Sequence, residues 1–101
     1  MKNDYQLYNN KDRKCFEFHI DEYVPKIDYL KRGAENVIYL THTEVPMALE
    51  GQGIGSQLVE KSLQECENDG FKVIPSCPFV AAYIKRHPDW ERVLAEGVYI
   101  R

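Results

Sequence analysis

No two of the three cysteines stand close enough to suggest a shared task. Cys15, Cys66 and Cys77 give no C-x-x-C pair, and their number is odd. A zinc-finger pattern needs closely spaced thiols and a disulfide framework an even number, so neither is expected, and no metal is assigned. Basic charge is also scarce. Thirteen Lys and Arg stand against 16 Asp and Glu, for a formal net charge of -3. Gripping nucleic-acid phosphates needs the opposite balance, so no nucleic-acid partner is expected. Long apolar runs are missing too: no window approaches the ~20 apolar residues of a membrane-spanning helix. The N-terminal stretch "MKNDYQLYNN" lacks the apolar core of a secretory signal. No membrane partner is expected, and the location expected is cytoplasmic, with reduced thiols. Internal repeats, low-complexity segments and linkers are absent as well.

What remains is an ordinary globular composition, 44% hydrophobic and 29% charged, in 101 residues. That length fits one small domain, taken as residues 1–101, with a modest core. "RKCFEFHI" (Arg13 to Ile20) alternates, with Cys15, Glu17 and His19 on one side and Phe16, Phe18 and Ile20 on the other. That period of two predicts a half-buried strand. "EYVPKIDYLK" (Glu22 to Lys31) is a second strand, in which Pro25 requires an edge or bulge. "NVIYLTHTEV" (Asn36 to Val45) is the strongest, and its near-continuous apolarity predicts cover on both faces. Simple alternation puts Ile38, Leu40, His42 and Glu44 on one face, and Val37, Tyr39, Thr41 and Thr43 on the other. The period then changes. Ile54, Leu58, Val59, Leu63 and Cys66 form one helical stripe, and Gly70 fits its stop. "FKVIP" (Phe71 to Pro75) predicts a short strand. A last helix follows, with Pro78 in its first turn and Pro88 beyond its end. "PDWERVL" packs a terminal turn or short helix. The class is α+β or mixed α/β, built on one sheet.

Between the strongest strand and the first helix lies "EGQGIGS", with Gly51, Gly53 and Gly55. A helix start has about four unpaired N–H groups and the positive end of the helix dipole. Glycines let a ligand approach that backbone closely. The pattern is therefore an anion site, most naturally for phosphate, or a tight turn whose glycines serve packing alone. Two familiar phosphate loops are excluded. The spacing G-x-G-x-x-G ends on Ser56 or Leu58 rather than glycine, and Gly55-Ser56 lacks the lysine of a Walker loop.

The loop resembles the acetyl-coenzyme A loop of the GCN5-related N-acetyltransferases: Gln or Arg, two residues, Gly, one residue, then Gly or Ala. Here it reads Glu50-Gly51-Gln52-Gly53-Ile54-Gly55, with Glu50 in the place of Gln or Arg. The resemblance is closest to a subgroup of very small members. It is carried by "YLTHTEVP" (Tyr39 to Pro46), "EGQGIGSQLVE" (Glu50 to Glu60) and "VIPSCPFVAAYIKRHPDW" (Val73 to Trp90), and spans residues 13 to 94. It implies a minimal fold, a central and mostly antiparallel sheet with two helices in the order β-β-β-α-β-α. It implies acetyl-CoA as acetyl donor and transfer to an amine that the sequence does not name. Coenzyme contacts would fall to Val45, Glu50, Gly51, Gln52, Gly53, Ile54, Gly55, Ser56 and, at the 3′-phosphate, Arg86 beside Lys85. The chain is shorter than full-length members and lacks acceptor-site elements they carry. The alternative is therefore a non-catalytic acyl-CoA-binding or interaction module. The edges so exposed fit a monomer or a weak homodimer.

Four residues are candidates for chemistry. Cys77 precedes Pro78 at the start of the last helix, and helix N-termini favour thiolate, a nucleophile toward a thioester. It equally fits as a small buried residue. His42 lies late in the strongest strand, where its neutral ring could take a proton, or serve as a core histidine. The small subgroup, which has a histidine and a cysteine at these motif positions, pairs the two. Glu44 is a second base on the same stretch. Tyr83 shares a stripe of the last helix with Phe79 and His87. Larger members use a tyrosine of this helix to protonate the coenzyme thiolate. His19 and His87 have no readable partners.

Overall fold

The structure, a computed structural model, describes residues 3–33 and 36–100. Among these, one sheet is built from β1 (Tyr8–Asn10), β2 (Cys15–Glu17), β3 (Lys26–Arg32), β4 (Val37–Glu44) and β5 (Lys72–Pro75). The strands lie in chain order across the sheet. The first three pairings are antiparallel, while β4 and β5 run parallel around a helical crossover. The α+β class and the mostly antiparallel sheet are as expected. The strand β1 is an addition to the predicted order, because its sequence, Tyr-Asn-Asn, carries no apolar alternation. Pro25 stands just before β3, where its missing N–H costs the ladder nothing, and its carbonyl accepts from Phe18 N–H at 3.0 Å.

Cover on the strands differs from the expectation in two places. All of β2 is buried, Cys15 and Glu17 as well as Phe16, because the second face is tied down by polar contacts rather than left to solvent. Glu17 Oε1 accepts from Asn10 Nδ2 at 3.4 Å and lies 2.8 Å from His19 Nε2. Glu17 Oε2 accepts from Cys15 Sγ at 3.3 Å. In β4, by contrast, only Ile38 and Leu40 are buried, and Thr41, His42 and Glu44 are exposed. Its apolarity is that of a strand with one covered face, and its last residues run past the end of β5.

The alternation in β4 also breaks. Tyr29 pairs with Leu40 while Asp28 pairs with His42, so Thr41 is an extra residue. Residues directly opposite one another point to the same side of a sheet. Thr43, opposite the buried Ile27, therefore shares the core face with Leu40, which is opposite Tyr29. His42, opposite Asp28, and Glu44, opposite Lys26, point to the other face. A one-residue bulge inverts every side chain that follows it. The predicted grouping of Ile38, Leu40, His42 and Glu44 on one face is corrected accordingly.

Helix α1 (Ile54–Asn68) buries Ile54, Leu58, Val59, Leu63 and Cys66 against the sheet, the stripe read from the sequence. Each such side chain is worth about 1.5–3 kcal/mol on burial. Gly70, at φ 79, ends it; Phe71 N–H returns to Cys66 O at 2.9 Å. Helix α2 (Pro78–Arg86) buries Val80, Tyr83 and Ile84 and stops before Pro88, where the turn Pro88–Val93 of 3-10 type seats Trp90. The N-terminal segment is pinned to α1: Tyr5 N–H donates to Gln57 Oε1 at 2.7 Å, and Gln57 Nε2 donates to Asn3 O at 2.8 Å. Among the described residues no helix is long and apolar enough to cross a membrane.

Candidate functional site

The connection from β4 to α1 is built for exposed backbone donors. Pro46 opens a single turn, Met47–Leu49, that ends when Glu50 N–H donates to Met47 O at 3.2 Å. The chain then takes two left-handed steps, Gly51 at φ 79 and Gly53 at φ 74. Side chains avoid such angles, so glycine is required at both. Gly53 is the residue before the first helical turn, and its carbonyl accepts the first intrahelical bond from Gln57 N–H, at 3.1 Å. The N–H groups of Ile54, Gly55 and Ser56 come before that bond and have no partner inside the helix. Among the described residues no side chain caps this end and no acid lies in the first turn. The result is a cluster of unpaired donors at the positive end of a helix of 15 residues.

These donors open into a cleft of about 450 Å³. Glu50, Gly51, Gly53, Gly55 and Ser56 form its polar side. Thr43 from β4, Val45 just past its end, Leu49, Ile54 from α1 and Phe79 from α2 form the rest. Gly55 is small for a reason: a Cβ there would stand 2.8 Å from Phe79 Cζ. Backbone donors and apolar walls in one cleft suit a ligand with a phosphate and an apolar arm. Gln52 lies on the loop's exposed side and is not among the lining residues.

The cleft exists because β4 and β5 part. They pair from Val37 with Lys72 to Leu40 with Pro75 and no further. Cys77 N–H donates to Leu40 O at 2.9 Å, and beyond that bond β4 continues without β5 beside it. Cys77 is buried at the N-terminus of α2, with Pro78 as the first helical residue. Its Sγ lies 3.3 Å from Thr43 Oγ1. Thr43 is thus the residue that joins the thiol to the cleft, and alternation had placed it on the wrong side.

The other candidates stand elsewhere. His42 and Glu44 lie on the opposite face, with side chains 60% exposed and His42 Nε2 3.8 Å from Glu44 Oε1. The structure does not bring His42 to Cys77, because the bulge at Thr41 turns it away. Tyr83 is buried, and its ring packs 4.3 Å from that of His87. Burial, and next the charge of Glu60, push its hydroxyl above the usual tyrosine range. It lines a second cavity with Gly53, Ser56 and Gln57, which Thr43 does not line. Arg86 and Lys85 end α2, and neither lines either cavity. The remaining thiols are inert: burial, then Glu17, pushes Cys15 up to about 11, and burial raises Cys66 to about 12.

Residues 15–93 match the profile of the GCN5-related N-acetyl-transferase family. The chain belongs to that family. Among its relatives is the protein NATD1 of Gallus gallus, 32% identical over 87 residues, a span of 82% of this chain and 76% of that protein. The mouse and human NATD1 proteins are each 32% identical over 54 residues, about half of each protein. The solution structure of a GCN5-like candidate N-acetyltransferase from Staphylococcus aureus has the same fold. It superimposes with a TM-score of 0.69 over 96% of this chain and 93% of that one, at 23% identity.

Proposed function

We propose that the protein is an acetyl-CoA-dependent N-acetyltransferase that acts on a primary amine. The observation that carries this reading is the set of unpaired N–H groups at Ile54, Gly55 and Ser56, opening into a cleft that Thr43, beside Cys77, also lines. The residues fit acetyl-CoA: backbone donors and left-handed glycines for a diphosphate, and Val45, Leu49 and Phe79 as walls for its pantetheine arm. Glu50 lines the rim, and its carboxylate disfavours anions there, so the backbone donors must supply the attraction.

When bound, acetyl-CoA supplies an activated acetyl thioester. The chain's own part is to hold, orient and move protons. Gly51 to Ser56 would hold the phosphate end, and Thr43, Val45, Leu49 and Phe79 would hold the arm. His42 and Glu44 stand on the other face of the sheet, exposed to solvent. Either can take a proton from an amine arriving there, which makes the amine a nucleophile. Cys77, at a helix N-terminus, would be able to attack the thioester carbon as thiolate and release CoA thiolate, and the amine would then take the acetyl and return the Cys77 thiolate.

Calorimetry and amide spectra with acetyl-CoA and CoA test the binding. Heat of binding with shifts confined to Gly51–Ser56 and the walls is expected. No heat and no shifts at millimolar ligand would sink the reading. Release of CoA thiol over a panel of lysine peptides, free N-termini and polyamines tests the transfer. Binding without release across that panel assigns the protein as an acyl-CoA-binding module instead.

A further inference from the structure

We infer that Thr43 is the positioning residue of this site, its hydroxyl holding the Cys77 thiol in line with the cleft. Three independent features converge on it. The extra residue at Thr41 turns Thr43 to the core face, opposite Ile27. Thr43 lines the same cleft as the glycine loop. Its Oγ1 lies 3.3 Å from Cys77 Sγ, and either atom can donate. A hydroxyl rotor serves both states of the sulfur, accepting from the thiol and donating to the thiolate. A β-branched side chain in a strand has few rotamers, so this oxygen is held in place rather than sampled. Cys77 is fixed on its other side, its N–H bonded to Leu40 O and its carbonyl accepting from Ala81 N–H at 3.0 Å. The thiol's direction is therefore the one freedom left, and Thr43 removes it.

The role in turnover rests on the N-acetyltransferase reading, whereas the hydrogen bond to sulfur does not. The experiment therefore has two arms, run on Thr43→Val, which keeps the shape and loses the hydroxyl, and on Thr43→Ser, which keeps the hydroxyl. In the first arm, Cys77 in the folded protein is alkylated with iodoacetamide at one near-neutral pH and followed by peptide mass spectrometry. Thr43→Val loses the hydroxyl that orients the sulfur and hydrogen-bonds it, so it should react about threefold more slowly. Thr43→Ser should react as wild type. In the second arm, Thr43→Val should lower kcat and leave KM for acetyl-CoA unchanged, with Thr43→Ser restoring kcat. Thermal melts confirm that each variant is folded. Wild-type alkylation by Thr43→Val overturns the proposal, and so does a wild-type Cys77 that does not react, since a thiol held in line with the cleft must be reachable from it. So does failure of Thr43→Ser to rescue, which would make the side chain a spacer. So does a loss seen with His42→Gln and not with Thr43→Val. If the wild-type protein neither binds nor turns over acetyl-CoA, the function fails while the alkylation arm still decides the hydrogen bond.

Discussion

A single methyl at residue 55 tests whether Phe79 is a wall of the ligand site. A Cβ on Gly55 would meet the Phe79 ring at 2.8, 3.2 and 3.3 Å. Carbon atoms prefer about 3.5–4.0 Å, so in Gly55→Ala the ring must withdraw by about 0.7–1.2 Å. The ring is only partly buried and borders the cleft, so space to move exists. Overpacking a closed core costs about 1–3 kcal/mol, and less beside open volume. Against this, replacing glycine within a helix gains about 0.5–1 kcal/mol. The two terms oppose, so stability should stay within about 1 kcal/mol of wild type, a change in Tm of about 4–8 °C at most. Ligand affinity has no such compensation, because the displaced ring enters the volume the ligand needs. The expected result is a Kd for acetyl-CoA raised about tenfold, or 1.4 kcal/mol, by calorimetry. Adding Phe79→Leu removes the clash and should restore part of the loss. An unchanged Kd in Gly55→Ala would refute the reasoning, and a large fall in Tm with normal affinity would make Phe79 a packing element alone.

Three further outcomes follow from titrating and hydrogen-bonded groups. Burial pushes the Glu17 carboxyl up, but hydrogen bonds from His19, Cys15 and Asn10 outweigh it and hold the group below its usual 4.5. A group lowered on folding adds stability that is full above its unfolded value and lost as pH falls through its folded one. Glu17→Gln should therefore flatten the acid limb of Tm against pH below about pH 5 and cost about 1–3 kcal/mol at neutrality. Cys15 and Cys66 are raised from 9.0 to about 11 and about 12, chiefly by burial, so their contribution is full below pH 9 and lost as pH rises through those values. Alkaline melts should show that loss, a Cys66→Ala variant should show less of it, and neither thiol should be alkylated in the folded protein near neutrality. Gln57→Ala removes the bonds its side chain makes to Tyr5 N–H and Asn3 O, leaves Lys61 on Tyr5 O, and should abolish hydrogen-exchange protection at the Tyr5 amide at a cost of about 1–2 kcal/mol.

Much of the molecule was legible in the chain because its signals were local. The α1 stripe, the stop at Gly70, and Pro78 and Pro88 around α2 each rest on chemistry within a few residues, and each holds. The glycine loop was legible in the same way: two of its glycines take left-handed angles and the third gives way to Phe79. What was not legible depended on partners distant in sequence. Cys15 and Glu17 read as a solvent face, but Asn10 and His19 close over them with hydrogen bonds. Strand β1 exists through its pairing with β2, since three polar residues have no reason of their own to extend.

The site was legible up to Leu40 and inverted beyond it. Nothing in "THTEV" marks Thr41 as an extra residue, since a bulge is defined by the partner strand, and the partner here is Asp28 and Tyr29. Yet that one residue decides the chemistry. Without it, His42 would share a face with Leu40 and approach Cys77, as the resemblance to small family members implied. With it, the sulfur meets a hydroxyl, and the two ionisable side chains are delivered to the uncovered face. This arrangement divides the labour across the sheet. The groups proposed to hold the ligand, the glycine loop, Phe79 and Thr43, lie on the side packed by helices, where the loop's turn, α2 and β4 fix their backbones. Groups suited to exchanging protons, His42 and Glu44, lie in water, where protons arrive and leave freely. β4 outruns β5, and the bulge at Thr41 sorts the last residues of that one strand between the two faces.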